Sequence, residues 1–72
     1  MKTENYTYKK QDDHENPSHY ILSNEDMNAQ EADEALEELA YDAWEEAKFV
    51  EFDSAVAQHY GYKNCAIFHI PT

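Results

Sequence analysis

Between Asn28 and Ala47 the chain reads NAQEADEALEELAYDAWEEA, with eight acids from Glu31 to Glu46 and no base. At about 100° per residue, Ala29, Ala32, Leu36, Leu39, Ala40, Ala43 and Ala47 fall on one narrow stripe. Glu31, Glu34, Glu37, Glu38, Asp42, Glu45 and Glu46 fill most of the remaining circumference. The pattern predicts one long helix that can pack only through its small side. Alanine on that side permits close approach to a sheet and raises helix propensity against the repulsion. Asn28 and Glu31 have capping-box spacing and Met27 is placed to staple onto Ala32, while Ser23 and Asp26 offer a rival start. Lys48 suits the C-terminus of such a helix.

The flanking segments supply the sheet. NYTYKK, residues 5–10, alternates with Tyr6 and Tyr8 on one face, and HYILS, residues 19–23, is a second β-prone run. Between them 11–18, QDDHENPS, combines turn-forming residues with clustered charge and is predicted as a flexible loop. After the helix, FVEF breaks the acidic pattern with bulk and is read as a turn of the chain. Phe52, Ala55, Val56, His59 and Tyr60 keep helical spacing, with Asp53 or Ser54 as cap and Gly61 as terminator. NCAIFHI closes the chain as a strand with Ala66, Phe68 and Ile70 facing one way and Cys65, Ile67 and His69 the other. The fold class is therefore α+β. A small single domain over 1–72 carries an antiparallel three-stranded sheet, one long acidic helix and one short helix, in the order ββααβ.

Size and charge bound the function. A chain of 72 residues buries roughly 60% of its unfolded surface, which disfavours a large active-site cleft. Sixteen acids against five lysines give a net charge of −11, and arginine is absent. Such a chain repels nucleic acid and anionic membrane and favours basic protein surfaces, so neither direct nucleic-acid binding nor membrane binding is expected. No run approaches the ~20 apolar residues of a membrane span, no signal peptide is read at the N-terminus, and one cysteine allows no internal disulfide. The expected location is cytoplasmic, that of the host cell if a phage encodes the protein. Six tyrosines, three phenylalanines and a tryptophan argue for a packed fold over a disordered one.

Catalytic and cofactor chemistry finds little support. His14 and His19 flank a proline-containing loop without a paired zinc-ligand spacing. Cys65 and His69 lie about 13 Å apart along a strand at ~3.3 Å per residue, too far to share a metal. His59 and His69 read as half-buried packing residues. Cys65 lacks an electropositive setting for a nucleophile, and one glycine cannot make a phosphate loop. We expect no enzyme activity, no cofactor and no metal.

The acidic face itself is the candidate site. Like charges such as Glu34 with Glu37 and Glu38, or Asp42 with Glu45 and Glu46, cost a few tenths of a kcal/mol per pair with no lysine between them to recover it. Over roughly 24 Å of helix the acids give about one charge per 3 Å, near the ~3.4 Å per phosphate of one DNA strand. Tyr41 falls between Glu34, Glu37, Glu38 and Glu45, opposite the alanine stripe. It is either a binding hot spot or an aromatic packed against the N-terminal segment. The partner-binding set is Glu34, Glu37, Glu38, Tyr41, Asp42, Glu45 and Glu46.

By size, acidity and lack of catalytic motifs the chain resembles the small acidic proteins with which bacteriophages and mobile elements block host nucleases or polymerase. Asp33–Trp44, DEALEELAYDAW, is similar to the acidic helix region of a phage inhibitor of bacterial RNA polymerase, a likeness of helix composition that transfers no functional residue. The resemblance implies an inhibitor of the anti-CRISPR, antirestriction or polymerase-inhibitor kind. It would cover the basic nucleic-acid-binding surface of a host protein, in the manner of a nucleic-acid mimic. The alternative is an antitoxin-like or regulatory adaptor that binds one cognate protein through an apolar groove. A free sheet edge leaves both monomer and homodimer open.

Overall fold

A computed structural model describes residues 4–11 and 18–70. The alternating hairpin segments form β1 (Tyr6–Gln11) and β2 (Ser18–Ser23), paired antiparallel with Tyr8 opposite Ile21. Of the predicted loop 11–18, Gln11 ends β1 and Ser18 opens β2, and the stretch 12–17 lies outside the described residues. The chain continues through α1 (Ala29–Leu39), α2 (Tyr41–Glu46), β3 (Lys48–Phe52), α3 (Ser54–His59) and β4 (Asn64–His69). The described residues thus form an α+β domain with a four-stranded antiparallel sheet, ordered β1-β2-β4-β3, and three helices.

Two features depart from the predicted ββααβ order. KFVEF is not a turn but the edge strand β3, with Phe49 opposite Phe68 and Phe52 opposite Ala66. Its aromatic and β-branched residues suit a pleated surface, and the strand gains backbone partners only once β4 lies beside it. The sheet therefore has four strands where three were expected. The acidic segment is also not one helix. Ala40 adopts φ −152° and ψ 68°, outside the helical region, so α1 closes with Ala40 N donating to Leu36 O and α2 opens with Trp44 N donating to Ala40 O. The break interrupts the like-charge i,i+4 succession from Glu38 to Asp42. It also accompanies the packing of Trp44 and Ala47 onto the sheet.

Both faces of the sheet are covered. Ile21, Ala66 and Phe68 point to the α1/α2 side, where they meet Ala32, Ala35, Leu36 and Ala47, with Tyr6, Tyr8, Met27, Trp44 and Phe49 around them. Leu22, Cys65 and Ile67 point the other way and meet Ala57, flanked by Tyr20, Val56, Tyr60 and Tyr62. The alternation predicted for the last strand therefore sorts β4 between two cores. On the first side the packing stripe is shifted from the predicted one: Ala35 is fully buried, whereas Ala29 is exposed and Leu39 is 38% exposed. Leu39 occupies the last turn of α1, where the chain bends away at Ala40. On the second side α3 is capped by Asp53, which accepts from Ala55 N and Val56 N, and ends before Gly61 at φ 84°. Its layer is tied to β1 by Tyr62 with Thr7 and by Tyr60 with Gln11. His59 and His69 are exposed and not half-buried, because His59 lies on the outer side of this short helix and His69 at the end of its strand.

Two measurements follow from this packing. Leu36→Ala should destabilise folding by about 2–5 kcal/mol through lost core volume. Leu39→Ala should cost less than about 1 kcal/mol, and urea denaturation of both variants compares them. Burial, with Asp53 adding to it, pushes the Cys65 thiol up to about 12 from 9.0. Between those pH values the unfolded chain releases a proton that the folded one keeps, so stability falls as pH rises, by up to ~1.4 kcal/mol per pH unit. Cys65→Ala should flatten that alkaline slope in denaturation curves across the same range.

Candidate functional site

The acidic side chains are positioned by two helix starts of different quality. Asn28 Oδ1 accepts from Glu31 N at 2.8 Å and Glu31 Oε1 accepts from Asn28 N at 3.0 Å, the reciprocal capping box expected from the sequence. α2 begins at Ala40 with no side-chain cap and has no buried residue, although Ala43 and Trp44 are partly covered. It stands as a short ridge above the sheet, with Tyr41, Asp42, Glu45 and Glu46 all exposed. On α1, Glu38 is exposed and Glu34 and Glu37 are half-buried.

The break at Ala40 divides the predicted site into groups. Tyr41 is 53% exposed and its ring leans on Trp44, with centroids 5.5 Å apart. The charge of Glu45 and the capacity of its carboxylate to accept from the phenol, then partial desolvation, Glu37 and Asp42, push Tyr41 above the ordinary tyrosine value of 10.0. Glu34 acts elsewhere: burial first, then Glu31, Glu25 and Glu34, raise the Tyr6 phenol on β1. The straight row of charge imagined for one helix is therefore two shorter rows that meet at a bend.

The ridge has a cleft on each side. One, of about 490 Å³, is lined by Tyr41, Asp42 and Glu46 from α2, by Tyr8, Lys10 and His19 from the sheet, and by Ile70 just after β4. Its sheet wall is held by Tyr8 and His19, whose rings stack at 5.9 Å and whose hydroxyl and Nδ1 are 2.8 Å apart. The other, of about 420 Å³, lies between Asp33 and the stretch from Trp44 to Phe49. Tyr8, Lys10, His19, Ile70 and Asp33 were not among the residues predicted for the site. The first four reach the ridge only through strand pairing, and nothing in their local sequence signals it.

Aromatic surface flanked by carboxylates is suited to cationic side chains, which ring faces and acids both attract. Among the described residues no three His, Cys, Asp or Glu side chains are grouped so as to hold a metal ion. Burial on the α3 side, with Asp53 adding to it, holds the Cys65 thiol near 12, which favours its protonated form at neutral pH. No helix of the described residues is long and apolar enough to cross a membrane. No protein-family model, curated protein or solved structure matches this chain.

The electrostatics of the ridge can be read directly. Subtracting the alkaline absorbance titration of Tyr41→Phe from that of the unsubstituted protein should isolate a phenol with a midpoint above 10.0. Glu45→Gln should move that midpoint back down. An unshifted Tyr41 would mean that the ridge carboxylates do not surround it.

Proposed function

We propose that this protein is a stoichiometric inhibitor whose acidic α1/α2 face covers a basic nucleic-acid-binding surface of another protein. The observation that carries the reading is the position of Tyr41. A large aromatic side chain stands exposed on a ridge, with Glu45, Glu37 and Asp42 acting on it. Exposed aromatics supply binding energy on desolvation, and surrounding charge steers the encounter and selects a basic partner. A solvated helix face chosen for solubility would mix its signs. The break at Ala40 alters the form of any mimicry: the acids form two short rows and not one straight strand. Phage or mobile-element anti-defence proteins, including anti-CRISPR and antirestriction proteins, and inhibitors of host polymerase are the functional class with this chemistry.

A second reading draws on the larger cleft, whose walls include Tyr8, Ala40, Ala43 and Ile70. In it an adaptor of antitoxin-like or regulatory type takes an apolar segment of one cognate protein beside α2, and the acids only keep the chain in solution.

Capture from a nuclease-treated bacterial extract on the immobilised protein, eluted with a salt gradient, distinguishes the two. The first reading expects basic nucleic-acid-binding proteins that elute as salt shortens the screening length below ~8 Å. Lysine substitution at Glu37, Glu38 and Glu45, none of which lines the cleft, should abolish that capture, and Tyr41→Ala should weaken it by about 2 kcal/mol with unchanged thermal stability. Capture that survives both the charge reversal and high salt would overturn the inhibitor reading in favour of the cleft.

A further inference from the structure

The two edges of the sheet differ in chemistry. β1 ends in exposed Lys9, Lys10 and Gln11, the kind of polar edge that discourages pairing. β3 carries Val50 and Phe52, each 46% exposed, two of the four large apolar side chains exposed among the described residues. It also holds one charge of each sign, Lys48 and Glu51, in a chain of net charge −11. This neutral strand is where two copies meet with least local repulsion.

We propose that β3 pairs antiparallel with β3 of a second copy, in the register that sets Lys48 of each chain opposite Glu51 of the other. The proposal shares no residue with the acidic-face reading and stands or falls apart from it. Register is decided by which face each residue occupies, because directly opposite residues of an antiparallel pair share a face. Lys48 and Glu51 lie opposite His69 and Ile67 of β4, on the α3 side, whereas Phe49 and Phe52 lie opposite Phe68 and Ala66, on the α1/α2 side. Pairing Lys48 with Glu51 matches faces there and also sets Phe52 against Ala47, which is buried on that same α1/α2 side. A slip of one residue sets Lys48 against Phe52 and mismatches the faces. A slip of two restores them but sets Lys48 against Asp53, whose carboxylate is already engaged in capping α3.

The irregularity of β3 narrows the occupant further. The pairing with β4 shifts register between Phe49 and Glu51, leaving Val50 as an extra residue. A regular strand laid on this edge loses step at Val50. A second copy brings its own extra residue to the same place, because the two-fold axis of the proposed register passes between Phe49 and Val50. Both chains then span Lys48 to Glu51 with equal length, and the Lys48–Glu51 contact is made twice.

Sedimentation of the 72-residue chain over a concentration series, at ~0.05 M and ~0.5 M salt, tests the dimer. The mass should double with concentration, and the dimer should tighten at the higher salt as repulsion between two acidic chains is screened. Partner binding through the acidic face should respond in the opposite sense. Lys48→Glu and Glu51→Lys should each weaken the dimer by at least ~10-fold, and the double reversal should restore it. Val50→Lys should give a monomer, with circular dichroism confirming that each variant is folded. A chain that stays monomeric at every concentration and salt overturns the proposal. A dimer indifferent to the single reversals, or not restored by the double one, overturns it equally.

Discussion

Everything in this fold hangs on the antiparallel pairing of β2 with β4. Ile21 lies opposite Ala66 and points to one core, and Leu22 lies opposite Cys65 and points to the other. A chain with mean hydropathy −0.96 has few apolar residues to use. Placing them on the two central strands lets neighbouring residues bury on opposite sides, each fully covered aliphatic or aromatic side chain contributing about 1.5–3 kcal/mol. Phe68, Ile21 and Leu22 are fully buried in this way, and Leu36 of α1 is fully buried in the same cluster as Ile21 and Phe68. The outer strands and helices are then attached to a two-sided centre and need little apolar surface of their own, which frees their outer faces for charge.

That freedom has been used in a way that lowers stability. α1 has Glu31 in its first turn, where the helix dipole favours an acid, but no base in its last turn, and Glu37 and Glu38 stand there instead. α2 repeats the arrangement with Glu45 and Glu46 at its end. Lysines at those positions would have stabilised both helices and kept the chain soluble. The acids are unfavourable for the free fold by dipole and by mutual repulsion, and this is the physical reason to look for their compensation in a bound partner.

The legible parts of the structure were those written in local chemistry. Tyr6 and Tyr8 alternating with Thr7 gave the first strand, Asn28 with Glu31 and Asp53 with its following amides gave two helix starts, and Gly61 gave a helix end. Cys65 to Ile70 showed two faces because a central strand needs both. The missed features are those decided at a distance. Phe49-Val-Glu-Phe is too short to tell strand from turn by period, and it becomes a strand because β4 returns beside it. Ala40 carries no helix-breaking chemistry, so the bend between α1 and α2 has no local signal; it reflects charge on one side and the seating of Trp44 and Ala47 on the other. For the site, Tyr41 could be singled out because an aromatic among acids opposite the alanine stripe is conspicuous. The cleft beside it brings together β1, β2 and the end of β4, and no window of sequence contains that juxtaposition.

The ridge that presents Tyr41 is held by surprisingly little. A helix of six residues does not persist in water by itself, since the cost of nucleation is not recovered over so few hydrogen bonds. α2 has no side-chain cap and no fully buried residue, and its ends are fixed by the bend at Ala40 and by Ala47, which is buried as β3 begins. Between those ends the contact with the core runs through Trp44, which packs on the cluster of Ile21, Leu36 and Phe68 while its outer side meets the ring of Tyr41. The position of the exposed tyrosine is thus set by a neighbour that is half in the core. Such an arrangement keeps the aromatic surface displayed and charged at its rim, because the residue that anchors the ridge and the residue that stands exposed are different side chains in mutual contact.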